Sequence, residues 1–136
     1  MNFPRALTFA VVLYVIGALL LFATGYRLDT VPSFLSYIVL WVLMIPAVLV
    51  FAKWYFHSTV PTAKTGLFLG IVTLALGFIL DSIIVLLFAS DITLSSFYAL
   101  VYGDWKCILL ALEILLLTTY AGYEFDTTYT DIASQK

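Results

Sequence analysis

The sequence predicts an all-α fold: a polytopic membrane protein built as a four-transmembrane-helix bundle with both termini cytoplasmic. Three observations lead there. Of the 136 residues, 64% are hydrophobic and only 10% charged, against roughly 45–50% and 25% in ordinary soluble domains. Four apolar segments, about 6–26, 34–55, 64–88 and 104–123, are each long enough to cross a hydrocarbon core of about 30 Å at about 1.5 Å per residue. Four such spans and their loops use up the chain, so residues 1–136 are expected to form a single transmembrane domain.

The first span follows Arg5 and carries the small residues Ala18 and Ala23, as a secretory leader would. Its apolar run is too long for a leader and no A-x-A site follows it, so it is read as a retained helix. Tyr14 lies in its middle. The loop "RLDTVPS" (27–33) leads into the second span, with Pro32 as the opening residue. Within that span Trp41 lies above Pro46, which removes one backbone hydrogen bond and leaves the carbonyl near Val42 in need of a partner. "HSTVPTAK" (57–64) opens the third span in the same way.

In the third span Gly66, Gly70, Thr73, Gly77 and Asp81 follow one another at steps of four, three, four and four, so they share one helical face. Small residues at this spacing let helices approach closely in lipid. Gly66, Gly70 and Gly77 are therefore expected to pack against a neighbouring helix, and Asp81 to face protein. The segment 90–104, "SDITLSSFYALVYGD", has two readings. Either residues 94–103 form a separate interfacial helix with Asp104 capping the fourth span, or the fourth helix is continuous, kinked and begins near Thr93.

The fourth span carries a second intramembrane acid, Glu113. Asp81 lies seven residues before Phe88 and Glu113 eight after Trp105, which puts both roughly 10–12 Å below the same end of the bundle. A charged residue near a helix centre costs about 2.5–3.5 kcal/mol on insertion scales, and protonating a carboxylate at pH 7 costs about 4 kcal/mol. With the two costs so close, a neighbouring pair is expected to share a proton or be neutralised by one cation. Asp81 and Glu113 are thus the candidate proton- or cation-binding residues. Tyr14, Trp41, Thr73 and Lys106 are the candidate cavity-lining residues, since an aromatic wall beside a carboxylate is a way to hold an organic cation. For Lys106, seven residues from Glu113, snorkelling to the surface is the favoured conformation.

Lys and Arg set the orientation. Arg5, Lys53, Lys64 and Lys136 would lie inside, against Arg27 and Lys106 outside. The aromatic belts, with Trp54, Tyr55, Phe56, Tyr120 and Tyr123 at one end and Tyr26, Phe34, Tyr37, Tyr98, Tyr102 and Trp105 at the other, agree with the boundaries.

Several functions are disfavoured. The net charge of −2 comes largely from a tail with Glu124, Asp126 and Asp131, and no Lys/Arg cluster points to nucleic acid. Cys107 is the only cysteine, which rules out an internal disulfide and dithiol redox chemistry. His57 is the only histidine and is read as interfacial. No P-loop, H-E-x-x-H, G-x-S-x-G or zinc-spaced Cys/His set occurs. No metal site, no cofactor and no enzymatic activity are expected.

Size, four spans and an embedded acid resemble the small multidrug resistance transporters, dimers that exchange protons for organic cations. The likeness is one of analogy: their essential glutamate lies in the first helix, whereas "ALTFAVVLYVIGALLLFATGY" here has no acid. Over residues 64–124, "KTGLFLG", "FILDSIIVL" and the "GYE" end of the fourth span are similar to small uncharacterised bacterial four-span membrane proteins, which carry no agreed function. The resulting expectation is a multi-pass protein of the bacterial inner membrane, transporter-like and proton- or cation-coupled. Its partners are the lipid bilayer, a small cation or proton, and a second copy or another membrane protein. The alternative is a non-catalytic accessory subunit whose acids lock helix packing or bind a partner.

Overall fold

The computed structural model describes residues 2–28, 30–89 and 92–125. The tail residues Asp126, Asp131 and Lys136 lie outside them. Five helices follow one another: α1 (Phe3–Ala23), α2 (Phe34–Phe56), α3 (Ala63–Phe88), α4 (Leu94–Val101) and α5 (Trp105–Glu124). Four of them, α1, α2, α3 and α5, are long and apolar enough to cross a membrane.

Each helix begins where a side chain satisfies its free amides. The Asn2 side chain accepts from the Arg5 N–H, that of Ser33 from the Ser36 N–H, and that of Thr93 from the Ser96 N–H. Thr62 and Thr65 form a reciprocal capping box at α3. Pro32 and Pro61 therefore sit one residue before a hydroxyl cap, outside the first turn where the sequence had put Pro32. After α1 the chain reverses at Gly25, whose φ of +82° lies in the left-handed region, and the Tyr26 N–H reaches back to the Leu21 carbonyl at 3.2 Å. The segment before α5 resolves as a separate helix, α4, with Asp104 capping α5 by accepting from the Lys106 N–H at 3.1 Å.

The long helices alternate in direction and form a ring in the order α1, α2, α5, α3. The first and last described residues lie at one end, where the Arg5 guanidinium donates to the Trp54 carbonyl at 3.5 Å and the rings of Phe56 and Phe125 lie 6.1 Å apart. Residues 24–28 and 30–33 and α4 cover the other end, called here the α4 end. The core runs along α2, from Tyr37, Leu40 and Met44 to Val48, Ala52 and Tyr55, against Phe9 and Leu13 of α1 and Ile114 and Ala121 of α5. The outside is a belt of bare apolar side chains, with Leu19 64%, Leu86 68% and Leu116 69% exposed, as a lipid-facing surface requires.

The tightest seam joins α3 to α5 near the termini end. A Cβ on Gly66 would collide with the Thr118 carbonyl oxygen, and one on Gly70 would lie 2.5 Å from the Thr118 hydroxyl. Gly122 faces Gly66 so closely that its own Cβ would come within 3.0 Å of the Gly66 Cα. Gly77, two turns beyond Gly70, differs. A Cβ there meets only Tyr14 Cδ2, at 3.8 Å, so Gly77 leaves room for a ring of α1 and does not seal a backbone contact. Between Gly70 and Gly77 the two helices part.

Candidate functional site

The parting of α3 from α5 opens a cavity of about 660 Å³ inside the α4 end of the bundle. Its walls are Leu13, Tyr14 and Gly17 of α1, Tyr37, Leu40 and Met44 of α2, Thr73, Gly77, Phe78 and Asp81 of α3, and Cys107, Ala111 and Ile114 of α5. Phe97, Val101 and Tyr102, from α4 and its C-cap, close it together with Leu28 and Pro32 of the loop. Nearly all of this lining is apolar. Asp81 is its one carboxylic acid, and no Lys or Arg lines it among the described residues.

Asp81 is held from two sides. The Tyr14 hydroxyl donates to its Oδ1 at 2.5 Å and the Tyr102 hydroxyl to its Oδ2 at 2.6 Å. α3 brings the carboxylate, because Asp81 continues the Gly70–Thr73–Gly77 face into the cavity. α1 brings Tyr14, whose ring edge lies over Gly77 of α3. α4 brings Tyr102, and one turn earlier Tyr98, whose hydroxyl shares a hydrogen bond with Ser82 and whose ring stacks on Phe78 at 4.7 Å and 10°. Burial first and then the Asp81 charge push the Tyr102 phenol well above its usual range, so it remains a proton donor.

Of the expected lining residues, Tyr14 and Thr73 lie in the wall, the Thr73 hydroxyl donating to the Leu69 carbonyl at 2.8 Å. Trp41 and Lys106 do not. Trp41 turns toward α5 and packs on Tyr37 and Trp105, its Nε1 buried without a hydrogen-bond partner. Lys106 stays at the rim, paired with Asp104 at 2.7 Å and lying over the Tyr37 and Trp105 rings at 5.4 and 5.8 Å. The Asp104–Lys106 pair is well shielded, with side chains 9% and 17% exposed. Desolvation raises the Asp104 carboxyl, but its hydrogen bonds and charge contact with Lys106 outweigh this and hold it below the usual carboxylate range.

The two acids do not meet as the depth argument expected. Both Asp81 oxygens are taken by tyrosines, whereas Glu113 does not line the cavity and its Oε2 is buried without a hydrogen-bond partner. The reason is azimuth. The cavity takes Cys107, Ile108, Leu110, Ala111, Ile114 and Leu115 from α5, and Glu113 points outside that arc, roughly 140° from its middle. Compared with models of protein families, with curated proteins and with solved structures, the chain matches none. Its chemistry has to be read from these residues alone.

What sequence reading missed is that α4 turns its tyrosines onto α3. Tyr98 and Tyr102 fall among the belt aromatics by hydropathy. Yet they stand four apart, on one face of a short helix, opposite the adjacent polar pair Asp81 and Ser82. That match was the available signal.

Proposed function

We propose that this chain is a small proton- or cation-coupled membrane protein, transporter-like in kind, and that Asp81 is its binding group. The observation that carries the reading is a carboxylate clamped by two tyrosine hydroxyls inside an apolar cavity, with no basic residue in the lining. Charge on such a group is costly in the membrane, and uptake of a proton or a cation removes it. The two hydroxyls soften the cost in the empty state without supplying a countercharge. Binding and release at one site then need no second acid, and Glu113 takes no part in them. We place the protein in the bacterial inner membrane with both termini cytoplasmic, following Arg5, Lys53 and Lys64 at the termini end against Arg27 and Lys106 at the other.

A titration followed by infrared spectroscopy of the protein in nanodiscs tests this. Wild type is expected to show a carboxyl band that responds to pH and is abolished in Asp81→Asn but kept in Glu113→Gln, with both variants folded. A band that survives Asp81→Asn overturns the reading. The second reading, an accessory subunit that binds another membrane protein, draws on the buried, unpartnered Oε2 of Glu113. It gains if both substitutions abolish assembly and neither changes a titration.

A further inference from the structure

We propose that the occupant of the Asp81 cavity is an amphiphilic monocation, a lipophilic ammonium whose head lies against Asp81 and whose apolar body reaches the site from the bilayer between α3 and α5. The proposal rests on Asp81 being the binding group and adds the class of ligand and its route.

Charge comes first. One carboxylate with no basic residue in the surrounding wall calls for a single positive charge. A bare metal ion fits poorly, because hard cations take six or more oxygen ligands, and among the described residues no three His, Cys, Asp or Glu side chains converge. The hydroxyls of Tyr14 and Tyr102 are already committed to the carboxylate as donors. An organic ammonium needs no such ligand shell. It is held by charge and by ring faces, and the wall offers Tyr14, Tyr37, Phe78 and Tyr102. Tyr37 already carries an ammonium in this protein, that of Lys106 at 5.4 Å from its ring centre.

The size and the opening supply the rest. A volume of about 660 Å³ is far more than a proton or a hydrated ion uses, and lies within the roughly 300–1,000 Å³ of small-molecule sites. The lining beyond Asp81 is largely aliphatic or aromatic, which rewards an apolar body and not a polar one. Four large lining side chains are strongly exposed: Ile71 at 49%, Phe78 at 46% and Ile108 at 53%, and Phe22 of α1 at 55%. The first three sit on α3 and α5, and this side is therefore the route assigned to the ligand.

The test uses the full chain in zwitterionic nanodiscs and three probes: decyltrimethylammonium, decanol and tetramethylammonium. Binding is read as saturable uptake of radiolabelled probe over empty nanodiscs, and its place by protection of Cys107, the only thiol and a lining residue, from a maleimide. Decyltrimethylammonium is expected to bind and to slow alkylation, decanol and tetramethylammonium to do neither at equal concentration. Asp81→Asn should weaken the first probe about ten- to hundredfold, the range of a charged contact, and Asp81→Glu should recover part of it. Equal binding of decanol, equal binding of tetramethylammonium, or undiminished binding to folded Asp81→Asn each overturns the proposal. If Asp81→Asn does not fold, the comparison of the three probes on wild type decides. Absence of binding while the titrating Asp81 band persists sinks this inference alone; absence of that band sinks the underlying reading too.

Discussion

Asp81 works as one member of a three-residue unit drawn from α1, α3 and the end of α4. Removing either hydroxyl deprives a largely buried carboxylate of one of its two donors, and hydrogen bonds to charged groups are worth about 1.5–3 kcal/mol. Tyr14→Phe and Tyr102→Phe are each expected to lower stability by about that much, read as thermal unfolding of the purified protein in detergent; an unchanged midpoint in both would refute the clamp. Much of this unit was legible. The glycine spacing aimed Asp81 inward, and Tyr14 stood out as a polar group in mid-span. Tyr102 was hidden because hydropathy assigns any tyrosine near a span end to the interface. Glu113 was misplaced for a different reason: residue counting fixes depth, but azimuth needs an anchor on the neighbouring helix. Thr118, which seals the α3–α5 seam, is that anchor, and Glu113 stands five residues before it, roughly 140° around the helix.

Among the elements, the α3–α5 seam and the α4 cap differ in what holds them. At the seam two backbones touch, so Gly66→Ala drives a methyl into the Thr118 carbonyl and is expected to cost about 1–3 kcal/mol as overpacking. Gly77→Ala meets only a ring edge at 3.8 Å and should be neutral or slightly stabilising, because alanine favours helix by about 0.5–1 kcal/mol. Unfolding the two variants side by side checks the contrast, and equal losses would show that the seam is not where the helices are tightest. The sequence grouped these glycines correctly on one face, but spacing alone does not tell a sealed contact from an open one. At the other end Asp104 joins two roles, cap and ion pair. Asp104→Asn keeps the cap acceptor and removes the charge. Because the folded carboxyl titrates below its usual range, the pair's contribution is complete above the unfolded value of about 3.9 and is lost as pH falls through the folded one. The stability gap between wild type and Asp104→Asn should therefore be constant from neutral pH to about 4 and close below it; a gap that widened on acidification would contradict the pairing.

For the whole molecule, the ring order α1, α2, α5, α3 places the first and last spans diagonally and leaves the centre of the α4 end unfilled. The hollow of about 660 Å³ lies within one chain and takes its walls from that chain alone. The span number follows from hydropathy, whereas the walls of the hollow do not, because spacing alone cannot tell Gly66 and Gly70, which seal the seam, from Gly77, which does not. With four spans the termini share a side, and reporters fused to each are expected to be active together in the cytoplasm; opposite signals would break the topology. α4 rests on α3 through Tyr98 and Tyr102. A ligand that displaces the Tyr102 hydroxyl from Asp81 would remove one of the two side-chain ties between α4 and α3. Amide deuteration over residues 98–103, a stretch at the aqueous boundary, thereby becomes a remote gauge of what happens at a buried oxygen, readable from outside without any label in the bilayer.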